Sequence, residues 1–187
     1  MPISKTAQLL RYFAQQYGAP GIPRLRLVKL AYMSDVLGRE YLGCPITDFA
    51  YYRYTNGPYD DAVIVAIKEL VDAGLATNGS EWNEGGVTRR LKSTGVPIAF
   101  EFSVAEMEIL KYVTDAYLRM DISEFVEQVV YLTPPMVELL TARPKDKKPL
   151  NMGQLDHAGT KQVGGFHLEA ILRAEDAIRA GQFVTTL

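Results

Sequence analysis

The sequence is poor in the residues that carry most chemistry. It has one cysteine, two histidines and one tryptophan among 187 residues. With Cys44 alone, no disulfide can form within the chain, which fits a reducing compartment. His157 and His167 stand ten residues apart, a spacing that matches no His-x-x-x-His ligand pair, and one cysteine is too few for a structural zinc site. Neither G-x-x-x-x-G-K-[ST] nor G-x-S-x-G occurs, so the phosphate cradle and the nucleophile elbow are both missing. The glycines from Gly159 to Gly165 follow no strand pattern and make a poor nucleotide loop. No run approaches the length of about 18 apolar residues that a membrane span needs. The opening residues lack the apolar core of a signal peptide. A cytoplasmic protein is expected, with no metal, no cofactor and no enzymatic activity.

What is present suits a folded domain. Hydrophobic residues make up 48% of the chain and charged residues 22%, enough apolar surface to bury a core without a metal or disulfide. The net charge of −2 argues neither for nor against nucleic acid as a partner. The charge is uneven, however. Residues 1–58 carry seven Lys/Arg against three Asp/Glu, and residues 101–138 carry two against eight. Partner surfaces produce such asymmetry, and so do ordinary solvated helix faces.

Apolar spacing predicts a mainly α fold: a compact multi-helix domain of six or seven helices, with a short extended segment and a small β-hairpin. The first helix covers 4–16, with Ser4 as its cap. The second covers 24–42, after Pro23, and is apolar on two sides, which places it at the centre of the core. Residues 49–55 alternate and read as extended, with Phe49, Tyr51 and Arg53 on one side and Tyr52 and Tyr54 on the other. Pro58 is expected to stop that segment and open a third helix from about residue 59. Short strands at 75–77 and 87–91 flank turn signals. Capping patterns at Ser103 and Asp121 start two further helices, and Thr133-Pro134 a short one. Domain organisation is read as a helical domain at 1–142, a surface loop or linker at 143–165, and a C-terminal helix at 166–187 packed on the same domain.

Few residues invite a functional reading. Asp60 and Asp61 suit a helix start better than acid–base work. Asp35 lies beside a broad apolar stripe and needs a partner, for which Lys29, Arg39 and Tyr52 are candidates. Tyr52, Arg53, Tyr54 and Tyr59 form the best candidate contact surface, because tyrosine and arginine are enriched where partners bind. An aromatic core around a short strand would use the same residues.

One ordered set of residues resembles a known family. Leu27, Lys29, Leu30, Tyr32 and Asp35 are followed by Gly43, Pro45 and Ile46, then Phe49 and Tyr52, then Gly57 and Pro58. This order is similar to that of the Panacea domain, the SocA-like antitoxin family, whose members are often labelled phage-associated. The similarity covers roughly 5–135 and is strongest over 25–70. Ala31, Tyr52 and Tyr59 depart from the commonest pattern, as do a hairpin insert near Trp82 and the stretch after Arg143. The resemblance implies a helical, non-catalytic protein that neutralises a cognate protein toxin by direct binding. One type of member acts as an adaptor that delivers its toxin to the ClpXP protease. Within this resemblance the motif residues are expected to be structural. The alternative reading is a winged-helix-like DNA-binding regulator, with helix three followed by a hairpin that carries Arg89, Arg90 and Lys92.

Overall fold

The structure is a computed structural model and describes residues 3–83, 86–142 and 148–155. Its order is α1 (Lys5–Tyr17), β1 (Ile22–Pro23), α2 (Arg24–Leu42), β2 (Tyr52–Tyr54), β3 (Gly57–Tyr59), α3 (Ala62–Asp72), β4 (Ala76–Asn83), β5 (Gly86–Ser93), α4 (Val104–Tyr117), α5 (Ile122–Gln128) and α6 (Pro134–Ala142). Single 3-10 turns lie at Val130–Leu132 and Met152–Leu155. The fold is mainly α, with six α-helices among the described residues. The expected helix at 166–187, both histidines and the glycines from Gly159 to Gly165 lie outside them.

Helix α2 is the centre. It is buried on nearly every side, from Leu27, Val28 and Leu30 through Val36 and Leu37. A helix apolar all round must be covered all round, and α1, α4, β3 and β5 pack against it. Its C-terminus closes at Gly43, whose φ of 74° is the left-handed shape that favours glycine. Ser4 caps α1 by accepting the Ala7 N–H at 3.1 Å. Ser103 and Glu106 close a reciprocal box at the start of α4, and Asp121 accepts from the Ser123 and Glu124 N–H groups at α5.

The β content exceeds the expected hairpin. β4 and β5 are eight residues each, and β1 joins them in the antiparallel order β1-β5-β4. The polar residues of β4 disguise its length, because its far end extends beyond the core and leaves Trp82 81% exposed. The second correction concerns Pro58. It does not stop extended structure or open the third helix; it sits inside β3, opposite Arg53, in a two-stranded sheet with Tyr52 opposite Tyr59. A strand with a free edge tolerates a residue that lacks an N–H. α3 therefore starts later, at Ala62, whose N–H is accepted by Asp60 at 2.9 Å.

Residues 148–155, within the stretch read as a surface loop, return to the domain. The Lys148 carbonyl accepts the Arg53 N–H and the Leu150 N–H donates to the Tyr51 carbonyl, both at 2.9 Å. Leu150 and Leu155 are buried in the core.

Candidate functional site: a tyrosine face above a buried lysine

The motif residues meet at two places on α2. The first is Asp35, 1% exposed. Its carboxylate accepts from the Ile46 and Thr47 N–H groups at 2.8 Å each, from the Thr47 hydroxyl at 2.5 Å and from the Tyr51 hydroxyl at 2.7 Å. Burial pushes the carboxyl upward, and the four donors oppose that shift. None of the expected partners, Lys29, Arg39 or Tyr52, is among these donors. The alternation of the extended segment explains the difference: Tyr51 points into the core and Tyr52 out of it. Asp35 thus pins the turn that contains Pro45 and Ile46, and delivers the chain to β2 in register. Gly38 serves the same turn, since a Cβ there would lie 2.8 Å from the Cys44 carbonyl oxygen.

The second place is Lys29, also 1% exposed. Among the described residues its one hydrogen bond is to the Pro58 carbonyl, at 2.6 Å. Burial lowers its pKa from 10.5 to about 7. Gly57 lies over it with φ +92°, and a Cβ at that position would come 3.0 Å from Tyr131 Cε1 and 3.5 Å from Lys29 Nζ. Tyr32 completes the support. Thr133 donates its hydroxyl to the Val130 carbonyl at 2.7 Å, so Tyr32 must donate to the Thr133 oxygen, also at 2.7 Å. Leu27 and Leu30 are core residues.

The β2–β3 hairpin fixed from below by Lys29 carries three of the predicted contact residues, Tyr52, Tyr54 and Tyr59, on its outer side, while Arg53 pairs with the buried Pro58 and alternates to the other side. Tyr52 meets Tyr54 and Tyr59 edge-on, with centroids 6.3 Å and 6.0 Å away, and Tyr54 lies 5.7 Å from Tyr59. Such pairs hold aromatic rings in defined orientations. Tyr54 is 45% exposed; Tyr52, Arg53 and Tyr59 are half-buried. The Tyr52 hydroxyl donates to Asp61 at 2.9 Å, and partial burial together with that carboxylate pushes its pKa up to about 12. Arg53 differs from the tyrosines in that its backbone is tied to Lys148. The structure therefore brings Tyr52, Tyr54 and Tyr59 together and directs Tyr51 to a different task.

A cleft of about 870 Å³ opens beside this face, between the start of α2, the β2–β3 turn and β5. Sequence reasoning missed it, because its walls come from segments some sixty positions apart. Among the described residues no three His, Cys, Asp or Glu side chains group as a metal site. No helix there is long and apolar enough to cross a membrane. α3 followed by the β4–β5 hairpin has the order of a winged helix. The exposed face of α3, however, presents Ile64, Val65, Lys68, Val71 and Asp72, with a single cation, and offers little to phosphates.

The structure thus defines a small, mainly helical domain with an aromatic face on its β2–β3 hairpin. A family model described as antitoxin SocA-like, Panacea domain, matches residues 27–131. That span exceeds half of the 187 residues, and the chain belongs to this family. No curated protein and no solved structure matches it.

Proposed function

We propose that this protein neutralises a partner toxin by binding it directly, without turnover. The observation that carries the reading is the cluster of Tyr52, Tyr54 and Tyr59, held on a hairpin whose underside is locked to α2 by Lys29, in a chain of the SocA-like antitoxin family. Rigid tyrosines contribute contact area at low entropic cost and are enriched among residues that dominate interfaces. Arg53 and these tyrosines form the contact, and the motif residues Leu27, Lys29, Leu30, Tyr32, Asp35, Gly43, Pro45, Gly57 and Pro58 hold them in place. The complex forms in the cytoplasm, and the bound toxin is handed to ClpXP as a second step.

Co-expression tests the reading. A toxic neighbouring reading frame should become tolerated when this chain is present, and the two proteins should co-purify. Handing over to the protease should shorten the toxin's half-life only in cells that contain ClpXP. A toxin neutralised with an unchanged half-life removes the second step and leaves the first.

A further inference from the structure

The cleft beside the tyrosine face has an unusual electrostatic composition for a chain of net charge −2. Arg24, Arg26, Lys29, Arg89 and Arg90 line it, and among the described residues no Asp or Glu does. Three of these cations already have tasks. Arg26 donates to the Tyr117 and Leu118 carbonyls at the end of α4, both at 3.2 Å. Arg90 pairs with Glu81 at 2.6 Å and donates to the Gly21 carbonyl at 3.1 Å. Lys29 holds Pro58. The side chains of Arg24 and Arg89 have no hydrogen bond or ion pair among the described residues, and both line the cleft; β1 pairs Pro23 with Arg90, so Arg24, the first residue of α2, follows beside Arg89 of β5. The N-cap residue of α2 is Pro23, which supplies no capping side chain, so the positive end of the helix lacks the usual cap acceptor.

We propose that this cleft takes a short acidic segment of the partner protein, with Arg24 and Arg89 clamping its carboxylates and Tyr54 and Tyr59 covering its neighbouring side chains. The inference rests on the toxin-binding reading and adds the chemistry of the segment that is bound. A guanidinium offers a planar fork that matches a carboxylate with two parallel hydrogen bonds. Arg24 acts on Tyr59 electrostatically, so cation and aromatic wall share one space. The alternative anion is a nucleic acid, and two features argue against it. Binding a duplex draws on several phosphate contacts along the strand, whereas here two cations remain uncommitted. The rim is also acidic: Asp60 and Asp61 lie beside Tyr59, and Glu81 lies on Arg90. A long polyanion would meet those charges, and a short acidic motif flanked by apolar residues would not.

The test uses the full chain at low salt with a fluorescein-labelled hexaglutamate peptide, a hexaglutamine peptide, a single-stranded oligonucleotide and a DNA duplex. Hexaglutamate should bind and hexaglutamine should not. The double variant Arg24→Glu/Arg89→Glu should weaken hexaglutamate binding at least tenfold. Lys68→Glu/Lys111→Glu changes the net charge equally on exposed helix faces and should leave it within twofold. Arg24→Gln/Arg89→Gln, with its circular dichroism compared to wild type, separates lost charge from lost fold. No binding, or binding equally reduced by both charge-reversal variants, overturns the proposal. So does tighter binding of either nucleic acid that depends on Arg24 and Arg89. In co-expression, an Arg24→Glu/Arg89→Glu chain that still neutralises the toxin overturns the cleft and leaves toxin binding standing. Wild-type chain that binds hexaglutamate through these arginines, yet neutralises no neighbouring product, supports the acidic-segment cleft and overturns the toxin reading.

Discussion

Lys29 Nζ lies 2.6 Å from the Pro58 carbonyl oxygen, so an amine near the start of the central helix holds the hairpin that carries the tyrosine face. The geometry has a consequence for pH. Burial lowers the pKa of this amine to about 7, while the unfolded chain keeps the ordinary 10.5. Below about 7 both states hold the proton, and the cost of burying an ammonium is fully present. Between about 7 and 10.5 the unfolded state holds a proton that the native state has released, so stability rises with pH across that window. At about 1.4 kcal/mol per unit of pH, raising pH from 7 to 9 should add roughly 2–3 kcal/mol. Urea unfolding at several pH values measures this, and Lys29→Met should flatten the slope. A native state that weakens over the same range would show that the amine stays charged.

Gly57 tests the same junction from the other side. Its φ of +92° opposes a side chain, and a Cβ would press on Tyr131. Gly57→Val should destabilise by about 1–3 kcal/mol. Two causes are mixed in that figure, and a double-mutant cycle with Tyr131→Ala separates them. A large coupling assigns the loss to the contact with Tyr131, and a coupling near zero assigns it to backbone strain.

Asp35 gathers four donors, and each substitution around it has a different expected cost. Asp35→Asn keeps the size but turns part of the acceptor into a donor facing N–H and O–H groups, and should cost about 1–3 kcal/mol for each donor it leaves unpaired. Tyr51→Phe removes one hydrogen bond to that carboxylate and should cost about 1.5–3 kcal/mol. Tyr52→Phe should change stability little, because its hydroxyl meets Asp61 near the surface. Chemical denaturation of the three variants gives the order, and a Tyr52→Phe loss that matched Tyr51→Phe would contradict the assignment of the two rings.

How much of this was legible in the sequence depended on the range of the signal. The helices were readable because their signals are local: Leu27, Leu30 and Leu37 recur on one stripe, and Ser103 and Glu106 cap each other three residues apart. The motif order from Leu27 to Pro58 gave the family. β4 was readable only at its root, since Thr77, Asn78, Gly79 and Ser80 have no apolar alternation; pairing with β5 along its whole length holds it extended. Pro58 misled because proline ordinarily ends a strand, and the exception depends on its lying at a sheet edge. Asp35 found its partners through a turn whose shape depends on Gly38 and Gly43, which no periodicity reports. Arg24 and Arg89 come together only because β5 runs beside the start of α2.

The contact surface itself gives the last prediction. Tyr52, Tyr54 and Tyr59 are exposed or half-buried, pack against one another, and sit on a hairpin tied to α2 through the Lys29–Pro58 hydrogen bond. A partner that seats on them meets a preformed surface, so little ordering entropy opposes binding. Tyr54 is the most exposed of the three and Tyr59 lines the cleft, so truncating either removes contact area with modest harm to the core. Arg53→Ala, Tyr54→Ala and Tyr59→Ala should each weaken the complex with the toxin by about 1–2 kcal/mol, which is a five- to thirty-fold loss of affinity. Melting curves of the free variants establish that the fold survives, and titration calorimetry with the purified toxin gives the affinities. Tyr51→Ala serves as the contrast, since it should lose stability first and binding only as a result. Undiminished affinity in all three surface variants would move the contact away from the β2–β3 hairpin, and the acidic faces of α4 and α5 would then be the next surface to mutate.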